Sequence, residues 1–460
     1  MIAISKHLAV IVASVAFSGV SVAAVTAEEA AQLGANLTAF GAEKAGNADG
    51  SIPAYTGELV SPPASYEPGS GRFPDPFASE QVILKIDAKN ADQYKDQLTP
   101  GVLALMKQYP TFHVNVYPTH RTTVYPEAVL ENSIKNATSA ELAGDASFDD
   151  AIENAYGGVP FPIPKNGAEA LWNFRLRFQP AGLDQRQSSY LVDSSGRSVF
   201  LGRYLCKFMN AYYDPAATSL SDPYFSRQLC LGESPASQAG YNLLITESAD
   251  FGKYDRMVWV YTPGQRRVRT APEFSYDTPA ANFGGALTYD EVNVYSGRSD
   301  RFDLKLVGKK EMYVPYNNNR LFDADWSLEQ FLTPKHPNPD SLRFEKHRVW
   351  VVEATLKTGK RHVLSRRTFF IDEDSWLIVA TDGYDQAGEL YRVGITFPFL
   401  AYENKGAVPF LSGQVYSWID LNKGEYFASS PGEKGSYVTK PELPSVTTFT
   451  SSRLAATGVR

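Results

Sequence analysis

From about residue 186 onward, the chain carries short apolar runs separated by turn residues. Arg256 to Tyr261 reads as a strand, Pro263-Gly264 as a turn, and Arg266 to Thr270 as the partner at hairpin distance. Val349 to Leu356 and His362 to Ile371 form a second pair around Lys357-Thr358-Gly359-Lys360. Asp372-Glu373-Asp374 turns the chain into Trp376 to Thr381, and Asp385 to Gly388 turns it into Leu390 to Phe397. Gly413 to Leu421 adds a strand before the turn at Asn422-Lys423-Gly424. Strands and turns at this interval predict an antiparallel meander. Helical signals fall in 98–180. Thr99-Pro100 fits an N-cap followed by proline at the first helical position. A second helix is expected from Asn166 to Phe178, with Leu171, Phe174 and Phe178 on one stripe. Residues 28–80 carry glycine and proline too often for a long element and are expected to run extended over the surface.

The strands alternate poorly between apolar and polar positions. Met257, Trp259 and Tyr261 stand on one side of their strand and Val258 and Val260 on the other. Trp350 and Val352 share a face with Ala354 and Leu356, and Phe369 and Phe370 point opposite ways. A sheet with one wet face would alternate, so both faces want cover. Two architectures supply it: a sheet packed solid on both sides, or a curled sheet closed by helices around an apolar hollow. For the hollow, the candidate lining residues are Met257, Trp259, Tyr261, Trp350, Val352, Phe370, Leu171 and Phe174.

The first residues change the cellular setting. Lys6, the apolar run Leu8 to Val25 and the small residues Val25-Thr26-Ala27 read as a secretory signal cleaved near residue 27. A retained membrane anchor is the alternative, on a run interrupted by Ser14, Ser18, Gly19 and Ser21. Cleavage takes the net charge from −7 to −8, because Lys6 is the only charge removed. That sign argues against nucleic acid or an anionic lipid surface as the main partner. In an oxidising periplasm the two cysteines, Cys206 and Cys230, are expected to form a bridge, with two buried thiols as the alternative. No linker separates helices from strands, so 81–460 reads as one β-rich domain with a helical insert near 98–180.

A search for chemistry finds no nucleophile elbow, zinc helix, phosphate loop or dinucleotide fingerprint, and no cofactor or metal is expected. His347 and His362 flank one hairpin, but the predicted register puts His362 opposite Thr355 and His347 far from it. Asp372-Glu373-Asp374 reads as a solvated hairpin end. Glu353 and Arg366 fall diagonally across the same hairpin as an ion pair. Arg266 and Arg267 read as a solvated strand or a contact for an anionic partner. The run Val159 to Pro164, with alternating prolines, is a stiff loop. It offers Val159, Phe161 and Ile163 as partner contacts.

Three segments carry a resemblance: Leu37 to Gly50 (LTAFGAEKAGNADG), Gly157 to Gly167 (GGVPFPIPKNG) and Val258 to Arg269 (VWVYTPGQRRVR). Together they resemble the bacterial domain-of-unknown-function family 1329, described as similar to outer-membrane lipoprotein-sorting proteins. The resemblance implies a β-rich α+β fold of LolA/LolB type: an incomplete, strongly curved antiparallel barrel covered by helices, here with a long irregular N-terminal arm. It also implies a cavity for acyl chains, and a multi-span exporter and an outer-membrane protein as partners. It brings no catalytic residues. The expected role is a periplasmic carrier or receptor for a lipid, lipoprotein or other hydrophobic molecule. A non-catalytic adaptor docking on an envelope transport complex is the alternative.

Overall fold

The computed structural model describes residues 25–143, 151–323, 326–402, 408–430 and 437–458. The leader expected over 1–27 therefore lies almost wholly outside the described residues. Among the described residues no helix is long and apolar enough to cross a membrane.

The chain builds two meanders, of six and seven strands, and joins them with the short strands Leu84–Ile86, Val114–Val116 and Tyr437–Lys440 into one 16-stranded sheet. The first comprises β1 (Gly182–Val192), β2 (Ser198–Met209), β3 (Tyr224–Ser234), β4 (Asn242–Ser248), β5 (Met257–Thr262) and β6 (Arg267–Thr270). The second comprises β7 (Phe302–Pro315), β8 (Phe344–Leu356), β9 (Arg366–Asp372), β10 (Ile378–Tyr384), β11 (Leu390–Thr396), β12 (Tyr416–Asp420) and β13 (Glu425–Ser430). β13 pairs antiparallel with β1, Tyr426 opposite Val192, so the spatial order runs from β7 through β13 to β1 and on to β6. Among the described residues the end strands do not pair with each other, and the sheet stays open. A parallel bridge of Val116 to Phe344 makes it mixed. The sheet is strongly curved. Tyr416 on β12 and Ile245 on β4 border one hollow, although five strand pairings separate them. At ~4.8 Å per pairing a flat sheet would hold them roughly 24 Å apart.

The predicted hairpins form. β5 and β6 pair with Thr262 opposite Arg267, and Arg266 and Arg267 are exposed. Glu353 and Arg366 make the diagonal ion pair at 3.3 Å. The register of that hairpin differs from expectation: Thr355 faces Arg366, not His362. His362 instead sits in a longer loop, where its Nε2 lies 2.8 Å from a carboxylate oxygen of Asp290.

Helix α1 (Pro100–Gln108) starts as predicted, with the Thr99 hydroxyl accepting from the Val102 N–H at 3.1 Å. α2 spans Glu127–Ser139 and α3 spans Gly167–Arg175. Asn166 caps α3 by accepting the Glu169 N–H at 2.9 Å. α3 ends at Arg175, short of the expected Phe178. Its stripe survives in Leu171 and Phe174, buried against Val352, Ala354 and Phe369, each worth about 1.5–3 kcal/mol in transfer free energy. Near the C-terminus, α4 (Ser451–Thr457) lies over β4, β5 and β6.

The acidic turn is a correction. Asp372, Glu373 and Asp374 are 0–2 % exposed, not solvated. Burying three carboxylates demands partners, and these come from far away in sequence. Arg121 grips Asp374 with two nitrogens, at 2.9 and 2.6 Å. Lys309 bonds Glu373 at 2.8 Å and Glu43 at 2.9 Å. Tyr316 and Ser375 donate to Asp372. Over this turn lies the N-terminal arm: Arg121 donates to the Glu43 carbonyl at 2.7 Å, and the Trp376 indole to the Phe40 carbonyl at 3.1 Å. The arm inserts Phe40, Ala42, Ile52 and Phe73 into the cores. Gly41, at φ +95°, passes so close to Pro162 that a Cβ there would sit 1.8 Å from its carbonyl oxygen. Two of the segments that carry the family resemblance thus touch at this joint.

Candidate functional site

Four adjacent strands present one face to a hollow. Residues alternate across a strand, and the lining follows that parity: Gln185, Gln187 and Ser189 on β1; Tyr204, Cys206 and Phe208 on β2; Ser226, Gln228 and Cys230 on β3; Leu243, Ile245 and Glu247 on β4; Phe225 joins them where the register of β3 shifts between Tyr224 and Ser226. Opposite them lie Phe174 and Arg175 from the end of α3, Arg177 just beyond, and the segment Asn282 to Gly297 with Phe283, Tyr289 and Tyr295. The cavity measures about 170 Å³. A dry apolar cavity of ~150 Å³ is enough to take up benzene, so this volume is on the scale of a short acyl segment or a small ring.

The hollow narrows toward β5. Cross-strand register puts Val258 and Val260 beside Ile245 and Leu243, and there the stacked rings of Phe274 and Tyr289, 3.5 Å apart, fill the space. A disulfide joins Cys206 and Cys230, which face each other in the β2–β3 register and both line the wall. It ties the two strands at the middle of the cavity.

Much of the polar lining is paired locally, although the Asn282 Oδ1 and the Tyr289 hydroxyl are buried without a partner among the described residues. Ser226 donates to Asn210 at 3.1 Å, and Gln187 to the Gln414 carbonyl. Glu247 accepts from Arg256 at 2.7 Å. The Tyr204 hydroxyl donates to Gln238, and burial raises its pKa. These groups orient one another and leave an apolar-walled space with amide rungs.

Of the eight lining residues predicted from strand parity, Phe174 borders the hollow. Met257, Trp259 and Tyr261 lie on the opposite face, because Met257 pairs with Thr246, Trp259 with Leu244 and Tyr261 with Asn242. Trp259 and Tyr261 pack with Leu454 of α4. Trp350 and Val352 sit in the solid layer beneath α3, into which Leu171 of α3 packs, and there Trp350 stacks on Trp376 at 6.4 Å. Phe370 points to the other side, among Val314, Val349 and Val351. Among the predicted contacts, Val159 and Phe161 are core residues at 0 % and 7 % exposure and offer no docking surface; Ile163 is half-buried. Sequence reasoning missed Gln185, Gln187 and Gln228. The unbroken polar run Asp184 to Ser189 hides which of its residues face inward.

A second hollow of about 240 Å³ lies beyond the Phe174–Ala181 segment, among Val129, Phe178, Tyr213 and Phe410. His347, Asp372 and Asp374 place ligand atoms within 4.8 Å of one another. Arg121 already meets both oxygens of Asp374 there, so a guanidinium supplies the positive charge.

The family model for "Protein of unknown function (DUF1329)" matches residues 85–455. The chain belongs to this family. The DUF1329 chain is 41% identical over 415 residues to the uncharacterized protein PA3922 of Pseudomonas aeruginosa, covering 88% of each. Among solved structures, it is similar to a DUF1329 family protein from Desulfovibrio piger (15% identity, TM-score 0.42, covering 63% of this chain and 97% of that one). It is also similar to the LolA superfamily protein NE2245 from Nitrosomonas europaea (11% identity, TM-score 0.36, covering 63% and 100%).

Proposed function

We propose that this DUF1329 chain is a periplasmic carrier or receptor that holds a hydrophobic molecule, or the acyl part of a lipid or lipoprotein, in the hollow over β1–β4. The observation that carries this reading is the hollow itself: one continuous strand face, bridged by a disulfide and roofed by the 282–297 segment, left unfilled where the neighbouring β5 face is packed solid. Each methylene moved from water into such a space gains roughly 0.8 kcal/mol. Carriage therefore needs no reactive group. An exporter and an outer-membrane protein would supply and receive the cargo. The leader read in the sequence supports the periplasmic setting, as does the bridged cysteine pair.

Native mass spectrometry of protein isolated from the periplasm, followed by organic extraction, tests the reading. Wild type should carry or take up an apolar ligand, and Ile245→Trp, which fills the hollow, should not. A wild-type protein that never binds one, or a filled variant that binds equally well, overturns it.

A further inference from the structure

Three arginines border the hollow, and they are not equivalent. Arg175 donates to the Gly297 carbonyl and the Ser299 hydroxyl, both at 3.1 Å. Arg256 is paired with Glu247. The Arg177 side chain makes one hydrogen bond among the described residues, from Nη1 to the Phe174 carbonyl at 2.9 Å, and its guanidinium lies 4.7 Å from the Phe174 ring. Among the described residues no carboxylate pairs with it, and Nε and Nη2 have no acceptor.

A cation held against protein without a counter-charge is costly. Burial pushes the Arg177 guanidinium down to about 10, with only the Tyr213 and Tyr437 hydroxyls nearby to oppose it. Part of its surface stays open. The free edge of a guanidinium is a planar fork that matches carboxylate and phosphate oxygens. In the same hollow, Phe208, Leu243, Ile245 and Phe283 offer apolar surface.

We infer that the hollow takes an anionic amphiphile, its acid group seated on Arg177 and its tail on the strand face. This rests on the reading of the hollow as a binding site and adds the charge of the ligand's head. The chain's net charge of −7 opposes non-specific anion binding, so any anion preference must come from a local cation.

Calorimetry on the full mature chain tests this with octanoate, octyl phosphate and octanol, which share a tail and differ in the head. Acetate and inorganic phosphate serve as heads without a tail. Wild type should bind at least one of the two acids about tenfold tighter than octanol, equivalent to about 1.4 kcal/mol. Arg177→Gln should bring the ratio to near one, through loss of acid affinity, and Arg177→Lys should keep part of it. The ratio in Arg177→Lys stands as the test if the glutamine variant fails to fold. The two acids distinguish carboxylate from phosphate heads. Equal binding of acids and alcohol by wild type, or an acid preference that survives Arg177→Gln, overturns the inference and leaves the hollow as a neutral-lipid site. Acetate or phosphate binding as tightly as the amphiphiles overturns the amphiphile. Failure of octanol and both acids to bind overturns the reading of the hollow itself.

Discussion

Asp382 on β10 gives the sharpest quantitative test of the packing. It is wholly buried. Its Oδ2 accepts the Gly101 N–H in the first turn of α1 at 3.1 Å, and its Oδ1 has no partner. Burial dominates, and only the Gly101 bond and the more distant Arg366 favour the charged form, so its pKa is pushed up to about 7. The unfolded chain ionises near 3.8. Below that value both states hold the proton and the contribution is fully present. As pH rises the unfolded state releases the proton first, and stability falls until the folded carboxyl ionises near 7. About three pKa units at ~1.4 kcal/mol each give a loss of roughly 4 kcal/mol between about pH 4 and pH 7. Asp382→Asn keeps an oxygen for the Gly101 N–H and removes the titration. Urea unfolding of wild type and variant at both ends of that window is the assay, because their difference cancels every other titrating group. The variant's advantage should grow by roughly 4 kcal/mol from about pH 4 to pH 7.5. A difference that stays flat within ~1 kcal/mol would refute the placement of an ionisable carboxylate in that core.

Three further outcomes follow from the same structure. Replacing Cys206 and Cys230 together with alanine reopens a loop spanning 24 residues of sequence separation; denaturant unfolding should show a loss of about 3.5 kcal/mol. Arg121→Met leaves Asp374 buried without its guanidinium, and a loss of ~3–5 kcal/mol in the same assay is expected, with increased proteolysis of the Phe40–Glu43 arm. Gly41→Ala combines a positive φ with a clash at Pro162 and should cost about 3 kcal/mol or more, read as a lowered thermal midpoint.

The meander was legible because turn chemistry is local. Pro263-Gly264 and Asp385 to Gly388 announce their hairpins, and Thr99-Pro100 and Asn166 announce their helices. The side of a strand that meets the cavity was not legible. Met257, Trp259 and Tyr261 were separated correctly from Val258 and Val260, but the covering of their face by α4 is decided by residues near 454. The amide rungs of β1 and β3 carry no apolar signal and escaped notice for the same reason. Asp372 to Asp374 looked like an exposed turn because its counter-charges, Arg121 and Lys309, are distant in sequence. The carboxylates were readable, and the arm that buries them was not.

Carriage requires that the space between the β1–β4 face and the 282–297 segment be open to exchange. Xenon pressurisation of crystals measures this without presuming a ligand, since dry apolar cavities of this size take up xenon. Ordered xenon should appear among Phe208, Leu243, Ile245 and Phe283. Density showing those side chains in mutual contact, with neither xenon nor ordered water between them, would contradict the account.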